Sequence, residues 1–193
     1  MHRFDLAAIA PTPWKNGGGA TRELACWPPG AGIDAFDWRV SVASVAASGP
    51  FSAYPGVDRQ IMLLAGDGFH LQARGGALEH RLDQPWQPLA FAGELAVQCR
   101  LLGGASTDFN LMLRRGRWQG RVQVLRQACQ PGSTPAGLCL VLAGCWRRGG
   151  DTLTAGQGLW WSGPQAGETL APQAGQGEDE PVLAWVGLAP EFE

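Results

Sequence analysis

The chain has 193 residues, of which 45% are hydrophobic and 17% are charged, and its formal net charge is −2. This composition excludes an intrinsically disordered chain and a basic surface of the kind that binds nucleic acid. No segment is apolar over the roughly 18 residues that a membrane helix needs, and the N-terminus lacks a signal-peptide pattern. A cytoplasmic protein is therefore expected.

Apolar segments of strand length recur along the chain, separated by turns that contain Gly or Pro. The predicted strands are residues 38–45, 59–64, 68–74, 77–82, 96–102, 108–114, 121–126, 138–142, 158–161 and 182–186. No segment keeps a helical period of apolar residues for three turns, and the 28 glycines and 14 prolines favour turns over long helices. We therefore expect an all-β protein with closed or sandwiched antiparallel sheets.

A weak internal repeat predicts two related β units. Residues 61–66 read IMLLAG and residues 139–144 read CLVLAG. We place the first unit at residues 1–126 and the second, shorter unit at residues 127–193. Polar motifs are poorer in the second unit, and its segment 172–181, rich in Gly, Gln and acidic residues, is expected to be a mobile loop. The functional residues are therefore expected in the first unit.

Rare residue types concentrate in two short polar segments, residues 14–23 and residues 108–112. Lys15 is the only lysine, and Asn16 and Asn110 are the only asparagines. Lys15 stands beside a Gly triplet, where backbone N–H groups and a compact ammonium can approach an anion. The triplet can equally be a turn in which Gly supplies a positive φ, and the spacing of a nucleotide P-loop is absent.

Strand alternation places several polar side chains on shared faces. Arg39 and Ser41 share one face of their predicted strand, and Asp108 and Asn110 share one face of theirs. Such a row either lines a cavity or faces solvent, and solvent is the commoner environment in a half-buried sheet. Alternation alone leaves both readings open.

Metal and nucleophile chemistry have little support in this sequence. A tight turn at residues 75–76 would set His70 opposite Arg81 and His80 opposite Leu71, so the two imidazoles would lie on opposite faces. They could not share an ion, and His80 is expected in the core. The five cysteines show no C-x-x-C spacing, and G-x-S-x-G is absent. We expect neither a metal nor a cofactor.

Six ordered motifs resemble the HutD/Ves family. They are PWKNGGG at residues 13–19, TRE at 21–23, FDWRVS at 36–41, GPFS at 49–52, PGVDR at 55–59 and DFNLM at 108–112. The likeness spans about residues 3–126 and is loose over 127–193. It implies a cupin-type bicupin fold, two packed antiparallel β-barrels in one chain, here without the H-x-H pattern of metal-binding cupins. It also implies a role near histidine degradation, with a ligand such as urocanate or formylglutamate.

The motifs that carry this resemblance supply the predicted ligand-binding residues. Arg39 or Arg59 would grip a carboxylate, and Lys15 would add charge. The two asparagines would form hydrogen bonds with an amide or formyl group of the ligand, and an aromatic ring would pack on its apolar portion. The full predicted set is Lys15, Asn16, Thr21, Arg22, Glu23, Arg39, Ser41, Phe51, Arg59, Asp108 and Asn110.

Three functions stay open at this point. The first, favoured by the missing metal ligands and nucleophile, is a binding protein that senses or sequesters a small carboxylate without turnover. The second is a cofactor-free isomerase or hydrolase in which Glu23 or Asp108 is the general base. The third is a regulator that binds a pathway protein through its surface. The expected partner is a small anionic ligand, with no nucleic acid and no membrane, and a homodimer is an open option.

Overall fold

Antiparallel strands make up nearly all regular structure in this computed structural model, which describes residues 1–163, 165, 167–173 and 180–191. The helical segments among them are two 3-10 turns, Leu6–Ala8 and Arg74–Gly76. The predicted all-β class is confirmed. Within the described part of the chain, no helix has the length and apolar character to cross a membrane. Most of the expected loop at 172–181, residues 174–179, lies outside the described residues.

The strands are numbered in chain order. The first nine are β1 (His2–Asp5), β2 (Thr12–Pro13), β3 (Gly19–Trp27), β4 (Trp38–Val45), β5 (Gly49–Pro50), β6 (Val57–Ala65), β7 (Phe69–Ala73), β8 (Glu79–Leu82) and β9 (Pro88–Ala92). The others are β10 (Val97–Leu101), β11 (Ser106–Arg114), β12 (Trp118–Leu125), β13 (Ala136–Ala143), β14 (Cys145–Arg148), β15 (Asp151–Thr154), β16 (Gln157–Ser162), β17 (Leu170–Pro172) and β18 (Val182–Pro190).

The chain divides into two compact units. The central unit is Ala10–Arg117, and the terminal unit is Met1–Ile9 together with Trp118–Glu193. This division differs from the expected boundary between residues 126 and 127. Strand β1 pairs with β16 and β12 pairs with β18, which assigns both strands to the terminal unit. Alternation along a strand does not reveal a partner that lies far away in the chain.

Two antiparallel sheets form the central unit. One has the strand order β2-β3-β4-β11-β6-β9, and the other has the order β5-β10-β7-β8. Apolar side chains from both sheets meet in one core cluster, to which the larger sheet contributes Val45, Ile61 and Leu63 and the smaller sheet contributes Phe69 and Leu71. The inner faces of the two sheets therefore enclose the interior of a barrel.

The terminal unit also has two antiparallel sheets, with orders β1-β16-β13-β18-β12 and β15-β14-β17. Its core cluster contains three tryptophans, Trp146, Trp161 and Trp185, packed with Cys139 and Leu183. The two segments of the sequence repeat end β6 and β13, and each strand is followed by a glycine with positive φ, +95° at Gly66 and +65° at Gly144. The repeat therefore marks equivalent strands of the two units.

All ten predicted strands overlap strands of the structure. Strand β3 was not predicted, although it carries Thr21 and Glu23. The register of β3 against β4 shifts between Glu23 and Ala25, so Leu24 is an extra residue that breaks the alternation on which the prediction depends.

The predicted hairpin register of the histidines is confirmed. Strands β7 and β8 pair His70 with Arg81 and Leu71 with His80. The expected burial of His80 is wrong, because β8 is an edge strand and the side chain is exposed. Among the described residues, no group of three His, Cys, Asp or Glu side chains is placed to hold a metal ion.

Candidate functional site

A cavity of about 730 Å³ lies inside the central unit. Ten of the eleven predicted ligand-binding residues line it, although they come from segments spread over nearly a hundred positions of the chain. These ten are Lys15, Asn16, Thr21, Glu23, Arg39, Ser41, Phe51, Arg59, Asp108 and Asn110. Of the two readings of the polar rows, the structure supports the cavity and not the solvent-facing one.

Cross-strand pairing explains how these side chains come together. Directly paired residues of antiparallel strands point to the same face, so each row across the sheet places its side chains side by side. Three rows of the larger sheet face the cavity. Their lining residues are Thr21, Ala43 and Asp108; Glu23, Ser41 and Asn110; and Arg39 and Arg59, which both pair with Met112.

Arg59 is a buried cation held among aromatic rings. The residue is only 6% exposed, and its guanidinium carbon lies 5.6 Å from the ring centres of Phe51 and Tyr54 and 5.2 Å from that of Phe91. Nη1 donates a long hydrogen bond of 3.5 Å to the carbonyl of Ser52, and Nε has no hydrogen-bond partner in the described part of the chain. Burial lowers the pKa of Arg59, against the effect of the Asp108 charge, but an arginine stays protonated at neutral pH. An anion would satisfy this group.

Asp108 and Asn110 form a buried polar pair on β11. Asn110 Nδ2 donates to Asp108 Oδ1 at 3.5 Å, whereas Asn110 Oδ1 accepts no hydrogen bond from the residues that the structure describes. Burial raises the pKa of Asp108 to about 7, although the charge of Arg59 and the hydrogen bond from Asn110 favour the carboxylate. Asp108 can therefore exchange a proton near neutral pH, which is the property of a general acid or base.

Arg39 is already engaged on one side. Its Nε donates to Glu23 Oε2 at 2.7 Å, and the two side chains are 15% and 43% exposed. Because Glu23 is well hydrated, this ion pair contributes little to stability. Its effect on the site is to cancel part of the charge that Arg39 offers to a ligand.

The Gly triplet is explained by backbone geometry. Gly17 has φ of +71°, and a Cβ on Gly19 would collide with the carbonyl of Ser44. Asn16 Oδ1 accepts the N–H of Gly18 at 3.0 Å, which closes the turn. The loop is thus a structural turn first, and it carries the exposed side chain of Lys15 to the edge of the cavity. Lys15 therefore lies at the cavity as predicted, but at its exposed edge rather than in its buried part.

Trp14 fixes this loop to the sheet. Its Nε1 donates to Thr21 Oγ1 at 2.8 Å, and its ring packs against the apolar core cluster. Thr21 therefore has a defined local partner and contributes to the cavity wall mainly by positioning Trp14.

Arg22 is the one predicted residue that the cavity excludes. Its neighbours in β3, Thr21 and Glu23, line the cavity, and strand alternation turns Arg22 to the other face. The motif at residues 21–23 does not by itself separate the two faces of β3, which the pairing of β3 with β4 defines.

Sequence reasoning missed part of the cavity wall, above all Tyr54 and the segment Ala31, Gly32 and Ile33. Tyr54 is the only tyrosine of the chain and stands between two of the motifs, so its rarity was an available signal. The other segment has no such signal, and Ile33 is 42% exposed at the cavity.

Thiol chemistry is absent from this cavity, because none of the five cysteines lines it. Cys26, Cys99 and Cys139 are buried, and Cys129 and Cys145 are half-buried. Burial raises the pKa of Cys99, Cys129 and Cys139 to about 12, which keeps these thiols protonated and weakly nucleophilic.

Comparisons with known proteins agree with the fold and the motifs. The HutD family model matches residues 6–178. Protein Ves of Cronobacter sakazakii is 41% identical over 162 residues, which cover 83% of this chain and 87% of that protein.

Solved structures give the same picture. HutD from Pseudomonas fluorescens SBW25, in a structure of its formate condition, is 28% identical with a TM-score of 0.82 and 99% coverage of both chains. Oxalate decarboxylase is only 8% identical, with a TM-score of 0.63 over 96% of this chain and 76% of that one, and this likeness concerns the fold alone. The expected bicupin architecture, with two antiparallel β-barrels in one chain, is confirmed.

Proposed function

The chain belongs to the HutD family, which is linked to histidine utilisation, and from this premise we propose that it binds a small carboxylate in the cavity of its central unit. The ligand is held without turnover, so that the protein senses or sequesters an intermediate of histidine degradation. The observation that carries the proposal is the charge of the cavity wall. Among the described residues of the wall, the cations Lys15, Arg39 and Arg59 outnumber the acids Glu23 and Asp108, and the pKa of Asp108 is raised to about 7.

Arg59 is the main anchor for the carboxylate in this proposal. A buried charge is costly unless an opposite charge or hydrogen bonds compensate it, and Arg59 has one long hydrogen bond and a free Nε. Arg39 acts as a second, weaker contact because Glu23 already takes its Nε. Lys15 attracts the anion from the edge of the cavity.

The cavity also suits a ligand with a flat or apolar portion. Its volume falls within the range of about 300–1,000 Å³ that is usual for small-molecule sites. Phe51 and Tyr54 line it and would flank a ring or an alkyl segment. A urocanate-like or formylglutamate-like molecule combines these features.

Calorimetric titration of the purified protein tests the proposal. The ligands are urocanate, N-formylglutamate, formiminoglutamate and formate, with imidazole as a control ring that lacks the carboxylate. We expect at least one of the four carboxylates to bind with one site per chain and imidazole not to bind. If no carboxylate binds at millimolar concentration, the proposal fails and a surface that binds a pathway protein becomes the better account.

One observation favours an enzyme as the second candidate. Asp108 is buried beside the cavity with a pKa raised to about 7, which suits a general acid or base at neutral pH. Proton NMR of the same ligand mixtures over a day would detect turnover. New product signals that disappear with Asp108→Asn would establish an isomerase or hydrolase. Unchanged spectra with intact binding would instead support a binding protein without turnover.

A further inference from the structure

Two buried polar atoms at the cavity have no hydrogen-bond partner among the described residues. They are Nε of Arg59 and Oδ1 of Asn110, in residues that are 6% and 8% exposed. Buried polar atoms in folded proteins are nearly always hydrogen-bonded, so an orphaned pair at one cavity indicates groups that a bound molecule satisfies. Among the described residues that line the cavity, no other side-chain atom is in this state.

The two atoms have opposite hydrogen-bonding character. Arg59 Nε–H is a donor that carries positive charge, and Asn110 Oδ1 is a neutral acceptor. The orientation of the Asn110 amide follows from its neighbour, because Nδ2 donates to Asp108 Oδ1 at 3.5 Å and leaves Oδ1 on the other side. A carboxylate can satisfy the donor, but it cannot satisfy the acceptor.

The two residues are neighbours on one wall. Asn110 of β11 pairs with Ile61 of β6, and Arg59 of β6 pairs with Met112 of β11. Asn110 and Arg59 are therefore diagonal neighbours on the same face of the sheet, and residues in this relationship lie about 7–8 Å apart. A single small molecule can reach both positions.

We propose that the ligand carries a neutral N–H donor as well as its carboxylate, with the anion on Arg59 and the N–H on Oδ1 of Asn110. This inference rests on the proposed carboxylate binding and narrows its ligand class to carboxylates that bear an amide, formamide or azole N–H. Asn110 is then the specificity-determining residue, and Arg59 is the affinity-determining residue. A site built to accept a hydrogen bond rejects an analogue that lacks the donor more strongly than an apolar site rejects a change of size.

A pair of isosteric probes tests the inference without any mutation. 3-(Pyrrol-2-yl)acrylate and 3-(2-furyl)acrylate have the same shape and the same carboxylate, but the first places an N–H where the second places an oxygen. Both are titrated calorimetrically at pH 8, where Asp108 of the free protein is mostly a carboxylate and accepts from Asn110 Nδ2. We expect the pyrrole to bind at least about tenfold more tightly than the furan, because the furan oxygen would face Oδ1.

The variant Asn110→Leu tests whether the preference for the pyrrole over the furan depends on Asn110. It removes the acceptor at similar volume, and we expect it to bring the two affinities within about twofold of each other. Arg126→Met, which alters an exposed side chain of the terminal unit, should keep the tenfold preference.

The outcomes separate this inference from the proposed function. Equal binding of pyrrole and furan by the parent protein overturns the N–H requirement and leaves carboxylate binding in place. A preference that persists in Asn110→Leu overturns the assignment to Asn110. If neither acrylate nor any carboxylate of the first titration binds, the proposed function fails and this inference fails with it.

Discussion

Arg39 and Arg59 pair with the same residue, Met112, from the two strands that flank β11. The two arginines therefore stand in one row on the inner face of the larger sheet, about two strand spacings or roughly 10 Å apart. Their surroundings differ, because Glu23 neutralises Arg39 whereas aromatic rings surround Arg59. The same side chain thus offers very different driving forces for anion binding at the two positions.

The first prediction compares these two arginines. Arg59→Met should weaken carboxylate binding at least tenfold, since loss of a buried charge that pairs with the ligand costs on the order of 2–5 kcal/mol. Arg39→Met should cost less, about 1 kcal/mol, because the released Glu23 stays hydrated. Calorimetry with urocanate measures both. Equal losses would show that the buried state of Arg59 has no special role.

The second prediction concerns Lys15. Because its side chain is exposed at the edge of the cavity, Lys15→Ala should reduce affinity by less than about 1 kcal/mol, mainly through a slower association rate. The effect should shrink as salt is raised from 20 to 300 mM, since exposed charges are screened. Stopped-flow fluorescence can follow association through the cavity tryptophan, Trp14. A salt-independent loss of tenfold or more would contradict the exposed position.

The third prediction is a pH dependence set by Asp108. A bound carboxylate stabilises the protonated form of Asp108, so binding takes up protons and affinity should fall as pH rises through about 7. Arg59, Arg39, Lys15 and Glu23 are the other charged groups at the cavity. Titrations between pH 5.5 and 8.5 should show this decline in the parent protein and a flatter profile in Asp108→Asn. Identical profiles would exclude Asp108 as the titrating group.

The raised pKa of Asp108 also makes the stability of the protein depend on pH. Between the unfolded pKa of about 3.9 and the folded pKa of about 7, the folded chain binds more protons than the unfolded chain at Asp108. The free energy of unfolding therefore loses a contribution as pH rises through this range. Asp108→Asn removes this loss. The free energy of unfolding of the variant, relative to that of the parent protein, should therefore increase from pH 4 to pH 7.

Much of the candidate site could be predicted because its chemistry resides in rare residue types. The only lysine and both asparagines line the cavity, and alternation put Arg39 with Ser41 and Asp108 with Asn110 before any strand partner was known. The bulge at Leu24 hid β3 and, with it, the outward direction of Arg22. The features that could not be predicted depend on tertiary structure. The edge position of β8 exposes His80, and distant pairing moves β1 and β12 into the terminal unit.

The fourth prediction tests the turn at the Gly triplet. Gly19→Ala should destabilise the protein by about 1–3 kcal/mol, because the new Cβ meets the carbonyl of Ser44 and the ring of Trp14 and forces the hairpin apart. Gly49→Ala is the control, since its Cβ would meet nothing within 4 Å. Urea unfolding measures both variants. A Gly19→Ala midpoint equal to that of the control would refute the close packing at this turn.

The fifth prediction concerns Arg114, which ties two loops of the cavity wall together. Its guanidinium donates to the carbonyls of Asp34 (3.1 Å), Phe36 (3.4 Å) and Pro55 (3.4 Å), in the loops that carry Ile33 and Tyr54. Arg114→Met should lower stability by about 1–2 kcal/mol and weaken carboxylate binding severalfold through misplacement of the wall.

Arg117→Met is the matched control for Arg114. Arg117 pairs with Asp37 at 2.8 Å, but its side chain is 67% exposed, so its loss should change stability by less than about 1 kcal/mol and leave affinity unchanged. If Arg114→Met binds like the parent although its stability is lowered, the two loops do not depend on Arg114 for their position at the cavity.

A crystal structure of the protein with urocanate at a saturating concentration would show directly whether the cavity of the central unit binds a carboxylate. We expect one urocanate in the cavity, with its carboxylate within hydrogen-bond distance of Arg59 Nε and its ring N–H near Asn110 Oδ1. An empty cavity at saturation, or urocanate bound only at another surface, would contradict it.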